Sequence, residues 1–169
     1  MSQNETLFAP LPAHARVWVY QAGRELTDQE VAAARQVLRA FVQAWDSHGQ
    51  PLQAAAEVLH RRFVVLAVDQ AAEAPSGCSI DKSVAVVRQL EQQLGTSLFD
   101  RTQLAYPTPS GSLATVALPQ LKAAVAAGEL GPDTLVFNPL VADLGQLRTE
   151  FLVPAGRTWL ARYFAKAVA

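Results

Sequence analysis

The stretch "RRFVVLAVD", residues 61–69, sets the first limit on what this chain can become. Six apolar side chains, three of them valines, run without a break between two arginines and an aspartate. β-branched residues lose side-chain freedom in a helix and pack well on a pleated surface. The run is also far short of the ~20 apolar residues that cross a bilayer. It predicts a buried strand with Asp69 at its C-terminal end, and a buried strand needs neighbours.

The flanking sequence supplies them. "PLQAAAEVLH" (51–60) suits a helix by its alanines and a strand by the alternation of Leu52, Ala54, Ala56 and Val58. We read it as a strand, joined to the next by a tight turn at His60 and Arg61. "ARVWVYQAGR" (15–24) alternates Val17 and Val19 against Trp18 and Tyr20, which suits a first strand. Between them, Thr27 and Glu30 have capping-box spacing. Val31, Ala34, Leu38, Phe41, Val42 and Trp45 then follow at helical spacing, with Gly49 as the stop.

A second helix is expected over "IDKSVAVVRQLEQQLG", capped by Ser79, with Ile80, Val84, Val87 and Leu94 on one face and Gly95 as its stop. "TQLAY" (102–106) offers a further strand. Strand, helix, strand, strand, helix, strand is the order of a ferredoxin-like split βαβ unit. Beyond it lie a turn at Pro109, Ser110 and Gly111, a strand "LATVAL", a short helix over 119–127 and a strand over 134–138. A closing helix carries Trp159, Leu160 and Phe164. The expected fold is α+β, a single domain over 1–169 with residues 1–12 flexible. Its sheet is mainly antiparallel and packed by helices, the first two thirds being ferredoxin-like (βαββαβ) with a C-terminal β/α extension. Trp18, Trp45 and Trp159 are read as core rather than as a stacking surface.

Charge narrows the partners. Fourteen basic side chains against fifteen acidic ones leave a net charge of -1, so no overall field draws the chain onto phosphate backbones or an anionic bilayer. Nucleic acid and membrane are both argued against. "MSQNETLFAPLP" has no basic start and no apolar stretch of a leader, which points to the cytoplasm. One cysteine excludes an internal disulfide and a multi-thiolate metal site, and three scattered histidines show no metal spacing. No metal and no cofactor are expected. An unidentified small ligand or protein partner remains, and nothing in the sequence speaks to oligomeric state.

The candidate chemistry gathers in "SGCSIDKS", residues 76–83. Cys78 falls at the start of the second helix, where the partial positive charge of the terminus favours a thiolate. Lys82 adds to that effect and Asp81 opposes it. Three readings stand side by side. Cys78 is a packed structural thiol, a catalytic or redox-sensing thiol, or part of a ligand loop in which Ser76, Gly77 and Ser79 turn N–H groups and hydroxyls toward an anion. Asp69, Asp81 and Cys78 flank one loop and would line a small polar pocket. Asp69 bonding to its own turn and Asp81 offsetting the helix dipole is the plainer account. A phosphate loop needs glycines where this chain has Ser76 and Asp81, although Lys82 and Ser83 fit its last two positions. A cysteine phosphatase would place arginine where Val84 stands.

"RVWVYQAGRELT", "RFVVLAVDQ", "SGCSIDKSV", "LFDR" and "VFNPLV" together resemble a small bacterial family with a GCSIDKS segment, whose members are sometimes labelled "ABC transporter ATPase". The resemblance covers nearly the whole chain. It implies emphasis on Cys78, Ser79, Asp81, Lys82 and Ser83, and its label implies an ATP-linked role. From the residues themselves, the expected function is a non-catalytic small-ligand-binding or interaction module. Its site would be Asp69, Ser76, Gly77, Ser79, Asp81, Lys82 and Ser83. The alternative is a thiol-dependent enzyme or redox sensor using Cys78.

Overall fold

The structure, a computed structural model, describes residues 8–165. The chain forms an α+β fold of small antiparallel sheets packed against helices. Its backbone gathers into two compact units, one drawn from the residues up to Asp100 with Leu140–Arg148, the other from Arg101–Pro139 with the residues from Thr149 on.

The first unit runs β1 (Arg16–Gln21), α1 (Asp28–Ala44), a small hairpin of β2 (Asp46–Ser47) and β3 (Gln50–Pro51), β4 (Gln53–Leu59), β5 (Phe63–Asp69) and α2 (Gly77–Leu94). The order in the sheet is β1-β5-β4, with β5 antiparallel to both neighbours. β1 and β4 are therefore parallel to each other with β5 between them, the split arrangement expected from the element order. Leu66 faces Trp18 on one side and Ala56 on the other. The 51–60 segment is thus a strand, and its turn residues His60 and Arg61 both adopt positive φ, 50° and 53°.

That left-handed pair is held by the loop after β1. Ala22 N–H donates to Arg62 O at 2.7 Å and Leu26 N–H donates to Arg61 O at 2.7 Å. The buried Arg62 guanidinium donates to Ala22 O and Gly23 O, each at 3.1 Å. Desolvation lowers the Arg62 pKa from its ordinary value, with Glu25 opposing the shift.

α1 opens as expected. Thr27 Oγ1 accepts from Glu30 N–H at 3.2 Å, and Glu30 Oε2 accepts from Thr27 N–H at 2.8 Å. Arg24 adds a bidentate pair to the same carboxylate at 2.9 and 2.7 Å. The helix stops at Ala44, short of Gly49. Trp45 turns extended (φ -78°, ψ 119°), and His48 and Gly49, at φ 50° and 81°, become the loop of the β2–β3 hairpin. Positive φ at both loop residues suits a two-residue hairpin turn.

One apolar cluster joins the sheet to both helices. It holds Tyr20, Val58, Val64 and Leu66 from the strands, Val31, Ala34 and Leu38 from α1, and Val86, Val87, Leu90 and Leu94 from α2. Every residue of β5 is buried, and each fully buried aliphatic side chain contributes about 1.5–3 kcal/mol. α2 ends at Gly95 in the left-handed region (φ 59°), the stop read from the sequence.

Three expectations are corrected here. The strand β6 (Gln103–Pro107) does not complete a four-stranded sheet, because it pairs with β7 (Leu113–Ala117) instead. The outer edge of β1 is met by residues 142–144: Val17 N–H donates to Ala142 O at 2.9 Å and Leu144 N–H to Ala15 O at 3.0 Å. The lead is not loose throughout. Residues 1–7 lie outside the described residues, but Phe8 and Leu11 are buried and Leu11 N–H donates to Phe8 O.

The third correction concerns the tail. In the second unit the β6–β7 hairpin is followed by a 3-10 turn (Leu118–Gln120), α3 (Leu121–Ala126) and β8 (Leu135–Phe137). α4 (Leu144–Thr149), which belongs to the first unit up to Arg148, precedes β9 (Leu152–Pro154) in the chain; β9 pairs with β8, and only one helical turn, α5 (Ala161–Phe164), closes the described chain. Gly156 sits so close to Pro132 that a Cβ would meet its carbonyl oxygen at 3.0 Å. Gly156 N–H donates to Pro132 O at 2.8 Å, so residues 155–157 form a 3-10 turn tied to that loop where a helix was expected, and residues 166–169 lie outside the described residues. Leu160 is buried in the cluster of Leu104, Val116, Leu121, Leu130 and Val136, while Trp159 is 40% exposed and not core.

Leu66→Ala is expected to lower the stability to chemical denaturation by about 2–5 kcal/mol, the range for truncating a fully buried leucine. Glu30 gives a second prediction. Hydrogen bonds from Arg24, then from the Thr27 backbone, pull its pKa down to about 2. A carboxyl with a depressed folded pKa stabilises above its unfolded value of ~4.3, and that stabilisation is lost as pH falls through the folded value. Glu30→Gln should therefore be less stable than the parent at neutral pH. The gap between the two should close as a pH series of denaturation curves descends below ~4.

Candidate functional site

The cap of α2 lies three residues before the one read from the sequence. Its N-cap is Ser76, with Gly77 as the first helical residue. Ser76 Oγ accepts from Ser79 N–H at 3.2 Å, and Ser79 Oγ accepts from Ser76 N–H at 3.2 Å. This is a reciprocal capping box with serine in the position usually held by Glu or Gln. Ser79 is thus the inner member of the box and not the cap itself.

Ser79 has a second task. Its side chain is 1% exposed, its hydroxyl donates to Asp46 O at 2.8 Å, and its carbonyl accepts from Trp45 Nε1 at 2.8 Å. One turn on, Lys82 Nζ lies 2.5 Å from Asp46 Oδ1, while Asp46 Oδ2 accepts from Gly49 N–H at 3.1 Å. The Lys82 ammonium, followed by the Gly49 N–H, holds the Asp46 carboxyl below the usual range. Ser83 is buried and donates to Ile80 O at 2.6 Å. Ser79 and Lys82 thus fix α2 to the residues after α1, while Ser76 and Ser83 bond within the start of α2 itself.

Gly77, Cys78 and Asp81 are exposed, as is Lys82, whose ammonium is paired with Asp46. Cys78 is a free, exposed thiol, which corrects the packed-thiol reading. Among the described residues no hydrogen bond or ion pair joins Cys78 to Asp69, Asp81, Lys82 or a histidine. Asp69 has other partners: its Oδ1 accepts from Ala71 N–H at 2.9 Å and lies 3.4 Å from His14 Nε2. The plainer account of Asp69, a bond to its own turn, is the one observed. Asp81 makes no such contact among the described residues.

No group of three His, Cys, Asp or Glu side chains among the described residues could hold a metal ion. No helix among them is long and apolar enough to cross a membrane. The Ser47 hydroxyl is buried with no hydrogen-bond partner, the one such side-chain atom among the described residues. Trp45 and Asp46 are the residues that sequence reasoning missed. They lie more than thirty positions from their α2 partners, and the helical periodicity of α1 ran through them. The local signal was "DSHG", whose Asp and Gly suit a tight turn as readily as a helix end.

The chain is an α+β protein with an exposed helix start held by a polar clamp. No family model, no curated protein and no solved structure matches it.

Ser79→Ala should cost about 1–2 kcal/mol, because it removes the inner capping group and leaves the part-buried Asp46 carbonyl short of a donor. Denaturant titration would read the loss. Cys78, by contrast, should react fully with a chromogenic disulfide reagent in the native state. A thiol that became available only on unfolding would contradict its exposure.

Proposed function

We propose that this protein is a non-catalytic, cytoplasmic binding module that offers the segment from Asp69 to Ser83 to a small ligand or a protein partner. The observation that carries the reading is the division of labour within "SGCSIDKS". Ser76, Ser79, Lys82 and Ser83 are engaged in internal bonds, while Gly77, Cys78 and Asp81 stand exposed on the same first turns. A contact surface gains affinity from being held in place before binding, since less ordering is then required. The first N–H groups of a helix have no intrahelical partner, so a small anion is the simplest ligand to test.

The experiment is a titration of isotope-labelled protein with inorganic phosphate and, separately, acetate, followed by amide resonances. Saturable shifts centred on Gly77 and Cys78, with the β6–β7 hairpin unmoved, would support the small-ligand form. Uniform, unsaturable drift across the chain would count against it. Turnover of a ligand bound there would overturn the non-catalytic reading.

The exposure of Cys78 at the second helical position favours one alternative, a thiol-dependent enzyme or redox sensor. Helix starts raise thiolate character and, with it, reactivity. On that alternative, iodoacetamide modifies Cys78 faster than it modifies glutathione at neutral pH. A rate equal to or below that of glutathione would remove it. The ATP-linked role rests on the family label alone. It predicts that ATP with magnesium raises the melting temperature, as any ligand selective for the folded state must.

A further inference from the structure

We draw no further inference here: the strongest candidate, the first turn of α2 with its exposed Cys78 thiol and the buried, unpartnered Ser47 hydroxyl on β2, carries nothing, because alternation along β2 puts Ser47 opposite the Asp46 carboxylate that meets α2 and no second group is aimed at the thiol among the described residues.

Discussion

Asp46 grips α2 at two points one helical turn apart, through its carbonyl to Ser79 and through its carboxylate to Lys82. Trp45 adds the opposite polarity, donating its indole N–H to the Ser79 carbonyl while its ring is buried beside Phe41 and Trp18. Two consecutive residues thus satisfy an acceptor, a donor and a charge on the same stretch of α2. α1 ends at Ala44 and Trp45 is extended, so the Asp46 carbonyl lies outside the helix and accepts from Ser79. The early end of α1, the β2–β3 hairpin and this contact occur together at residues 45–51. The bonds are buried at Ser79 and exposed at Lys82, so the carbonyl–hydroxyl and indole bonds fix the geometry. The ion pair, in high-dielectric surroundings, contributes little beyond them.

A second constraint comes from β5. It is buried along its whole length and paired on both edges, so it must be central, and the two remaining strands must be its flanks. β4 is then an edge strand whose backbone needs protection. Its two ends have it. Leu52 N–H donates to Trp45 O at 3.0 Å. At the other end Val58 N–H donates to Glu57 Oε1 at 2.7 Å, Arg35 Nη2 donates to Val58 O at 3.4 Å, and Arg35 also pairs with Glu57. Trp45, which donates its indole N–H to α2, thus also accepts from the residue that leads into β4.

These relations explain which features could be read in advance. The capping box at Thr27 and Glu30, the αL stop at Gly95, the β-branched run of β5 and the alternation of β1 are local, each written within a few residues and each found. The split order of β1, β5 and β4 followed from the succession of those elements. What failed depended on partners remote in sequence. β6 could equally have joined β1 or β7, and only the pairing with β7 needs no long crossover. The helix start moved from Ser79 to Ser76 because two serines three apart fit either role. Only the burial of Ser79 against Asp46 decides between them. α4 and α5, of six and four residues, are too short to leave a periodic signature.

The candidate site shows the same division. That a helix starts there was legible from the serines and small residues that precede its apolar periodicity. The role of each residue was not, because Lys82 and Ser79 take their partners from a loop that the sequence disguised as helix. Side chains of a kind that tunes a thiolate or cradles a phosphate are occupied elsewhere: Lys82 by Asp46, Asp69 by Ala71 and His14. A Lys-Ser pair is informative about phosphate binding only when its lysine is free to reach the phosphate. Here the ammonium is committed to a carboxylate 2.5 Å away, and any anion at the helix start would have to compete with that carboxylate or rely on backbone N–H groups alone. What is left to a partner is the exposed turn itself, which is why binding without chemistry is the reading that asks least of residues already engaged.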